Sequence, residues 1–436
     1  MRKAELSFSY IFTIIIIGLA VYWNALYCTA LSGDDSEIIN YHYQTGKIFF
    51  ESPASFLDNA VCKLTTGEEF TPMGFHGINI FLHLFVCIMV FYFLKMFFEP
   101  EASFYGALLF TILPVHTENV TWISGKSHII IALCFLGVFL LFCRRHYVWA
   151  WILFAAGVWP GMGKINIVNL WLGVTPVFLV IYLLVYRKFR ELYRVVPYFL
   201  IFAFLMMFHL NTIRERIAFT APGYRNGINL WTEFIYSTFS HFWLMIYPAK
   251  LVIYHEGVLV NFNALIWGSA IIILLGGLLV YIYKKSKPLF LGLVLYFLFL
   301  APTYSPFPIG WVIAERYAYL PSILLSIIVA CLISTRHKQA VLLICMSLMF
   351  FYGARTVDRN ADYKTDAVFR RATLASAPYS PKARNDMGVI YARESNVIMA
   401  LQEFSNALRI KPDFKDARTN LELVEKALLQ KIKIKY

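Results

Sequence analysis

Apolar residues in this chain are gathered into long runs that are separated by shorter polar segments. A helix needs about 20 apolar residues to cross a bilayer. Eleven runs approach this length, so the pattern predicts about eleven transmembrane helices. The runs cover residues 8–30, 75–97, 102–119, 128–143, 147–162, 166–186, 195–211, 262–283, 288–304, 316–334 and 338–355.

The composition supports this interpretation. Of the 436 residues, 59% are hydrophobic and 15% are charged, whereas soluble domains contain roughly 25% charged residues. The mean hydropathy of +0.62 applies to the whole chain and not to one anchor segment. These values exclude a cytosolic enzyme, a secreted domain and a disordered scaffold, and they predict an all-α polytopic membrane protein.

The distribution of charge predicts the orientation. Lys and Arg number 39 and Asp and Glu number 26. Because cytoplasmic loops are enriched in Lys and Arg, the excess positive charge indicates membrane topology and not a nucleic-acid partner. Eleven crossings place the N-terminus in the cytoplasm and the tail after residue 355 outside. The other segments expected outside are residues 31–74, 114–128, 212–261 and 301–319.

One apolar stretch, residues 231–255, does not fit a simple crossing. An additional crossing there would move the basic cluster at Lys284 to the outer side. The stretch also contains Glu233, His241 and Lys250. We therefore expect it to be re-entrant or to lie along the interface, where irregular backbone must line a protein cavity.

The composition changes abruptly after the last run, which predicts a transmembrane domain of residues 1–355 and a charged helical domain of residues 356–436. The second domain contains one full tetratricopeptide repeat at residues 381–414, since six of seven marker positions fit the motif. The markers are Arg384, Met387, Gly388, Tyr391, Ala400, Phe404 and Pro412, with Arg384 in the place of the usual Trp. One repeat is not stable alone, so the tail is expected to pack on the membrane domain or to hold a protein. A spacer or a dimer contact is the other interpretation.

Two adjacent carboxylates, Asp34 and Asp35, follow the first run at the predicted outer surface. In a structural interpretation, Asp34 caps a helix over residues 36–45 and Glu37 completes a capping box. In a catalytic interpretation, one carboxylate is a base, because paired carboxylates beside an apolar phase are costly unless function needs them. Successive helical side chains diverge, so one base and one positioning residue fit better than a shared-proton pair.

His76, Asn79 and His83 enter the second run at spacings of three and four residues, which places them on one helical face. Hydrogen-bonded histidines between helices are one interpretation. A divalent metal is the other, with His116 and Glu118 as further ligands. No other cofactor is expected.

Two more outer segments combine acidic, basic and aromatic side chains. The first contains His116, Glu118 and Lys126, and the second is Glu315-Arg316-Tyr317. Arg316 is either an ion-pair partner of the adjacent Glu315 or a phosphate ligand, because the planar guanidinium matches phosphate oxygens. A carboxylate base and a phosphate-binding cation on one outer face predict transfer from a lipid phosphate.

The order of these blocks resembles the transmembrane-and-tetratricopeptide-repeat family of O-mannosyltransferases and their bacterial relatives. The resemblance rests on the repeat tail and on Asp34-Asp35, His76…Asn79…His83, Pro114-Val115-His116-Thr117-Glu118…Trp122…Gly125-Lys126 and Glu315-Arg316-Tyr317…Tyr319-Leu320-Pro321-Ser322. It extends over almost the whole chain. It implies the C-type glycosyltransferase (GT-C) membrane fold.

The resemblance also implies a reaction: transfer of a sugar from a polyprenyl-phosphate donor to a Ser or Thr hydroxyl of a protein, with inversion. Asp34 or Asp35 would accept the hydroxyl proton, and Lys126 and Arg316 would stabilise the phosphate leaving group. The tail would present the acceptor protein, and no metal would be required. The donor-binding set is then Lys126, Arg316, His116, Glu118, His76, Asn79, Glu315 and Tyr317.

Other functions fit parts of the same pattern. A glycolipid or polysaccharide glycosyltransferase, or a glycan ligase, would use the same site with another acceptor. A flippase or transporter of lipid-linked glycans would show repeats within the membrane domain and polar residues at the midplane. A repeat scaffold would explain the tail but not Asp34 and Asp35. The short tail favours a bacterial inner membrane with a periplasmic tail over an endoplasmic-reticulum membrane with a lumenal tail.

Overall fold

The computed structural model describes residues 2–31, 35, 72–159, 167–207, 230–249, 251, 262–304, 312–335 and 338–435. Within these ranges the chain forms helices and turns and contains no β-strand. The all-α prediction is therefore confirmed for the described part of the chain. Asp34, residues 36–45 and most of the segment 31–74 lie outside it.

A helix overlaps each predicted apolar run, and the tail is helical as well. The α-helices are α1 (Arg2–Tyr22), α2 (Pro72–Leu94), α3 (Pro100–Ile112), α4 (Thr117–Val120), α5 (Ser127–Cys143), α6 (Tyr147–Val158), α7 (Thr175–Val185), α8 (Val196–Met207), α9 (Leu230–Ile246), α10 (Phe262–Lys285), α11 (Lys287–Leu300), α12 (Ile323–Ile333), α13 (Lys338–Ala361), α14 (Asp366–Ser376), α15 (Pro381–Arg393), α16 (Val397–Ile410) and α17 (Lys415–Lys435). Prolines at the first turns of α3, α11 and α15 suit these starts, because the missing N–H has no partner there.

Within the described ranges, five helical segments are long and apolar enough to cross a membrane. They are Leu6–Tyr27, Pro72–Leu94, Ile123–Cys143, Lys287–Tyr304 and Gln339–Ala361. The apolar segments Tyr147–Val158, Trp171–Val185 and Ile323–Ile333 are shorter. Phe8, Phe85 and Phe350 remain exposed on their helices, as lipid-facing side chains do. The chain is therefore built as a multi-pass membrane protein, whereas the count of about eleven crossings and the GT-C fold stay predictions.

The helix α13 continues through the predicted domain boundary at residue 355 and ends at Ala361. Its last turns are held by the membrane domain. Thr356 donates a hydrogen bond to the carbonyl of Ile112 at the end of α3 (2.7 Å), and Asn360 donates to the carbonyl of Val21 in α1 (2.9 Å). One continuous helix therefore joins the membrane domain to the tail.

The helices α15 and α16 cover the predicted repeat and pack closely together. A Cβ atom on Gly388 would lie 2.6 Å from the Phe404 ring, so only glycine leaves room for this aromatic side chain. Arg384, in the place of the usual Trp, forms an ion pair with Glu403 (2.9 Å). The small residue and the ion pair together hold the two helices in contact.

The beginning of the tail is seated on the segment that follows α1. Tyr363 and Phe369 share a buried apolar cluster with Cys28 and Leu31. The backbone N–H of Thr29 donates to the carbonyl of Lys364 (3.0 Å). These contacts bury apolar surface that a single repeat would otherwise leave exposed.

The stretch that does not fit a simple crossing contains α9, a helix of 17 residues. His241 accepts a hydrogen bond from the backbone N–H of Ala314 (3.4 Å), and Ser237 shares a hydrogen bond with Thr303 (2.5 Å). The predicted outer segment 301–319 is therefore in contact with this helix at two points. Its re-entrant placement stays a prediction.

Candidate functional site

The segment 114–128 forms the framework of the candidate site. Leu113 is extended, as residues before proline usually are, and α3 therefore ends before the chain turns through α4 and the 3-10 turn Ile123–Lys126. A Cβ atom on Gly125 would lie 2.1 Å from the carbonyl oxygen of Glu118, so only glycine allows the two turns to touch. The segment is thereby compact, and polar side chains from several other elements attach to it.

Asp35 lies against this segment and is 1% exposed. Its Oδ1 accepts hydrogen bonds from the backbone N–H (3.0 Å) and the hydroxyl (2.5 Å) of Ser124. Its Oδ2 accepts from the backbone N–H of Leu31 (2.9 Å). Burial raises the pKa of the Asp35 carboxyl, and these hydrogen bonds and the charge of Lys126 oppose the rise. Asp35 is therefore a fixed carboxylate with both oxygens occupied.

Three polar side chains surround the same 3-10 turn. Lys126 is 3% exposed and donates to a carbonyl oxygen of its own turn (3.2 Å). Asn79 of α2 donates to the carbonyl directly before the turn (2.9 Å). His76, one helical turn earlier, has its Nε2 3.1 Å from the carbonyl of Cys28. Because a carbonyl only accepts hydrogen bonds, the proton of His76 is on Nε2, and α2 binds both this turn and the segment after α1.

Two ion pairs form the second part of the site. Arg316 donates to the carboxylate of Glu118 through its backbone N–H (2.8 Å) and its guanidinium. Glu315 instead accepts from Arg359 of α13, at 2.8 Å. Arg359 also pairs with Asp362 (2.8 Å). The interpretation of Glu315 and Arg316 as partners of each other is therefore wrong, since each pairs with a distant residue.

The four charges differ in how far they are buried. The side chains of Glu118, Glu315 and Arg359 are at most 1% exposed, whereas that of Arg316 is 16% exposed. Burial raises the pKa of Glu315 to about 7, and Arg359 limits this rise. Arg316 is thus the most exposed of these four side chains.

His116 and His83 belong to a buried hydrogen-bond network. The single hydroxyl hydrogen of Ser322 goes to the carbonyl of Tyr319 (2.7 Å), so Ser322 accepts from His116 Nε2 (2.8 Å). His83 Nδ1 lies 2.7 Å from the hydroxyl of Tyr319. The network joins α2, the segment 114–128 and the start of α12, and it supports the site from within the protein.

The Tyr317 ring lies against its neighbour Arg316, whose guanidinium is 5.0 Å from the ring centroid. Its ring lies 5.5 Å from that of His128 and 5.1 Å from that of Trp171, measured between centroids. These side chains line a small cavity beside α5 and α11. Tyr317 therefore connects the ion pairs to an aromatic cluster.

The residues suggested as metal ligands are arranged as hydrogen-bonding groups. In the described ranges, no group of three His, Cys, Asp or Glu side chains is placed to hold a metal ion. His116 binds Ser322, and Glu118 is bonded to Arg316. His116 thus forms a hydrogen bond between segments of the protein, and Glu118 neutralises a positive charge.

Two residues of the site were missed by reasoning from the sequence. Ser124 lies within the block that carries the resemblance, but nothing local identifies it as the partner of Asp35. Arg359 had a signal, since it is a charged residue four positions after Arg355 at the end of an apolar run. Its pairing with Glu315 depends on how two distant segments meet, and spacing along the chain does not contain that information.

Comparison with known proteins gives relatives that align over most of the chain. The mouse protein named Protein O-mannosyl-transferase TMTC3 is 24% identical over 492 aligned residues, which cover 96% of this chain and 53% of the relative. The human protein named Protein O-mannosyl-transferase TMTC4 is 24% identical, and the alignment covers 77% of this chain and 54% of the relative. The chain is TMTC-like.

A Caenorhabditis elegans protein named Protein O-mannosyl-transferase F38B6.6 is 23% identical, with 80% of this chain and 52% of the relative aligned. The TMTC-like chain thus spans about half the length of the curated relatives it matches. No family model matches the chain, and no solved structure matches it either.

Proposed function

We propose that this chain is a membrane glycosyltransferase that moves a sugar from a polyprenyl-phosphate donor to a Ser or Thr hydroxyl of a protein. The observation that carries the proposal is the attachment of Asp35 and Arg316 to one compact segment, Asp35 through Ser124 and Arg316 through Glu118. Such a transfer uses a carboxylate base and a phosphate-binding cation: Asp35 directly follows Asp34 in the chain, and the Arg316 side chain is 16% exposed. The relatives' names, Protein O-mannosyl-transferase TMTC3 and TMTC4, support a protein O-mannosyltransferase.

In the proposed reaction, the acceptor oxygen attacks the anomeric carbon while the bond from that carbon to the phosphate oxygen breaks. A carboxylate takes the hydroxyl proton, and negative charge develops on the departing phosphate. Asp35 is buried and both of its oxygens accept hydrogen bonds. We therefore assign Asp35 to positioning the turn and its neighbour Asp34 to accepting the proton.

Arg316 is the proposed phosphate ligand. A guanidinium has five N–H donors, so Arg316 can remain paired with Glu118 and still donate to a phosphate. Lys126 adds positive charge from the adjacent turn. His76, Asn79, His116, Glu315 and Tyr317 are then supporting residues that hold these elements together.

The remaining parts of the proposal follow from the same assignment. Catalysis takes place on the extracytoplasmic face of a bacterial inner membrane, and the repeat tail holds the acceptor protein. No metal takes part, so transfer should continue in the presence of EDTA.

The proposal is tested by measuring intact masses of envelope proteins in cells with and without the gene. A hexose-sized mass should disappear from a Ser- or Thr-containing protein in the deletion strain. The wild-type gene should restore it, and Asp34→Asn should not. Asp358→Asn is the matched control, because that carboxylate is 74% exposed on α13 and pairs with Arg355 on its own helix.

Two results would contradict the proposal in different ways. A changed glycolipid or surface polysaccharide with unchanged protein masses would replace the protein acceptor with a glycan or lipid acceptor. Unchanged proteins and glycans would remove the transferase assignment and favour the transporter or the scaffold.

A further inference from the structure

Arg359 connects the candidate site to the repeat tail through a single guanidinium. We propose that Arg359 is a positioning residue that couples the seating of the tail to the placement of Arg316. This inference rests on the proposed function insofar as Arg316 binds the donor phosphate. It adds a role for the tail in forming the donor site itself, in addition to holding an acceptor.

On the side of the candidate site, Arg359 forms a buried ion pair with Glu315. One terminal nitrogen of Arg359 lies 2.8 Å from Glu315 Oε1, and the two side chains are 1% and 0% exposed. Glu315 directly precedes Arg316, whose backbone N–H and guanidinium both bind Glu118. The turn Glu315–Ala318 is thus held from one side by α13 and from the other side by α4.

On the side of the tail, Arg359 contacts Asp362 and Tyr363. The other terminal nitrogen of Arg359 lies 2.8 Å from Asp362 Oδ2, and the guanidinium lies 5.3 Å from the centroid of the Tyr363 ring. Tyr363 packs with Phe369 of α14 and with Cys28 after α1. Both contacts of Arg359 on this side are therefore with residues between α13 and α14, where the tail packs on the segment after α1.

Asn360, which follows Arg359 in α13, also contacts the candidate site. Asn360 accepts a hydrogen bond from the Thr121 hydroxyl (2.7 Å), and Thr121 lies between α4 and the turn that binds Asp35. The amide of Asn360 also donates to Asn24 (2.9 Å). The last turn of α13 thus contacts both parts of the candidate site.

The cost of leaving Glu315 buried without a cation couples the position of the tail to the order of the Glu315–Ala318 turn. A buried carboxylate that loses its cation keeps the full desolvation penalty, so Glu315 cannot remain charged and in place if Arg359 moves away with the tail. Seating the tail and ordering the Glu315–Ala318 turn therefore favour each other. Coupling between two sites is reciprocal in binding free energy, so phosphate binding at Arg316 should in turn stabilise the seated tail.

The test uses the full chain in lipid nanodiscs, with polyprenyl phosphate as the probe ligand and amide hydrogen exchange in α14 as the readout. In the wild type, the probe should slow exchange in α14 by about five-fold or more, the lower end of typical coupling factors. In Arg359→Gln, exchange in α14 should be faster and no longer respond to the probe. Transfer assays should show a raised KM for the donor with a smaller change in kcat, and Arg359→Lys should fall between the two.

Two further variants separate coupling from general damage. Arg371→Gln removes an equal charge from an exposed ion pair of the tail and should keep the response to the probe. Glu315→Gln combined with Arg359→Gln removes both buried charges, and it should regain thermal stability relative to Arg359→Gln without regaining the response.

An Arg359→Gln protein whose α14 exchange and donor KM match the wild type would overturn the coupling, even if transfer is fully established. A wild type that transfers no sugar would instead overturn the proposed function. The exchange response needs no turnover, so the two failures can be told apart.

Discussion

The carboxylate of Asp35 accepts two hydrogen bonds from Ser124, a residue 89 positions further along the chain. The contact attaches the segment after α1 to the turn before α5. It holds Asp35, one of the two acidic residues predicted from the sequence, in a fixed and buried orientation. The short Oγ contact of 2.5 Å makes the hydroxyl the main side-chain partner of this carboxylate.

Ser124→Ala should lower both stability and transfer. A hydrogen bond to a charged group contributes about 1.5–3 kcal/mol, and the variant removes one from a buried carboxylate while leaving the backbone bond. Thermal unfolding in detergent and a transfer assay would measure the two effects. Ser347→Ala is the matched control, since that hydroxyl bonds to its own helix on an exposed face, and equal losses in both variants would argue against a specific role for Ser124.

Gly125→Ala should disrupt the site by steric contact alone. The new methyl group would lie 2.1 Å from the carbonyl oxygen of Glu118, so the two turns would have to separate. Overpacking of this kind costs about 1–3 kcal/mol or more, and transfer should be lost. Gly276→Ala adds the same group in α10, where nothing lies within 4 Å, and it should unfold at or above the wild-type temperature.

Arg316→Lys should weaken use of the donor while keeping the positive charge. Lysine lacks the planar fork that binds phosphate and carboxylate oxygens together. We expect the KM for the donor to rise about tenfold, which corresponds to about 1.4 kcal/mol, in assays with varied polyprenyl-phosphate sugar. An unchanged KM in this variant would show that the donor phosphate binds elsewhere.

Glu315 should make stability depend on pH. Its pKa is raised from an ordinary value of 4.5 to about 7, so the native state holds a proton that the unfolded state releases between these values. The stability that this group contributes is full below about pH 4.5 and is lost as the pH rises through 7. The melting temperature of the wild type should therefore fall more between pH 5.5 and pH 8 than that of Glu315→Gln. Parallel curves for the two proteins would contradict the assignment.

Gly388→Ala should destabilise the packing of α15 against α16 in the repeat. The methyl group would lie 2.6 Å from the Phe404 ring, and we expect a loss of about 1–3 kcal/mol in local stability. Hydrogen exchange in α15 and α16 of the full chain would report it. Adding Phe404→Leu should relieve part of the effect if the clash is the cause.

The sequence allowed prediction of those features that depend on neighbouring residues. Apolar runs are local, and each of them overlaps a helix. Gly388 and Phe404 lie 16 positions apart within one repeat motif, so their contact could be expected from spacing. Asp35 and Arg316 were selected because charged residues beside an apolar phase are unusual, which required no knowledge of their partners.

The pairing of charges could not be predicted in the same way. Glu315 and Arg316 are adjacent, yet one binds Arg359 and the other binds Glu118, 198 positions earlier. Which partner each takes depends on how α4, α12 and α13 pack, and many arrangements share the same apolar pattern. The domain boundary proposed at residue 355 came from composition, whereas the backbone remains helical until Ala361 because hydrogen bonds from Thr356 and Asn360 hold that last turn.

Because α13 is one continuous helix, the thickness of the membrane can affect the geometry of the candidate site. A helix of 24 residues is about 36 Å long at 1.5 Å per residue, and it exceeds the roughly 30 Å of a bilayer's hydrocarbon core. Its end, which carries Arg359, has no hinge to absorb a change in membrane thickness. A thinner bilayer must tilt the helix further, and a thicker one must draw its polar end toward lipid. Acyl chain length can thus alter the geometry around Glu315 without any contact between a lipid tail and a site residue.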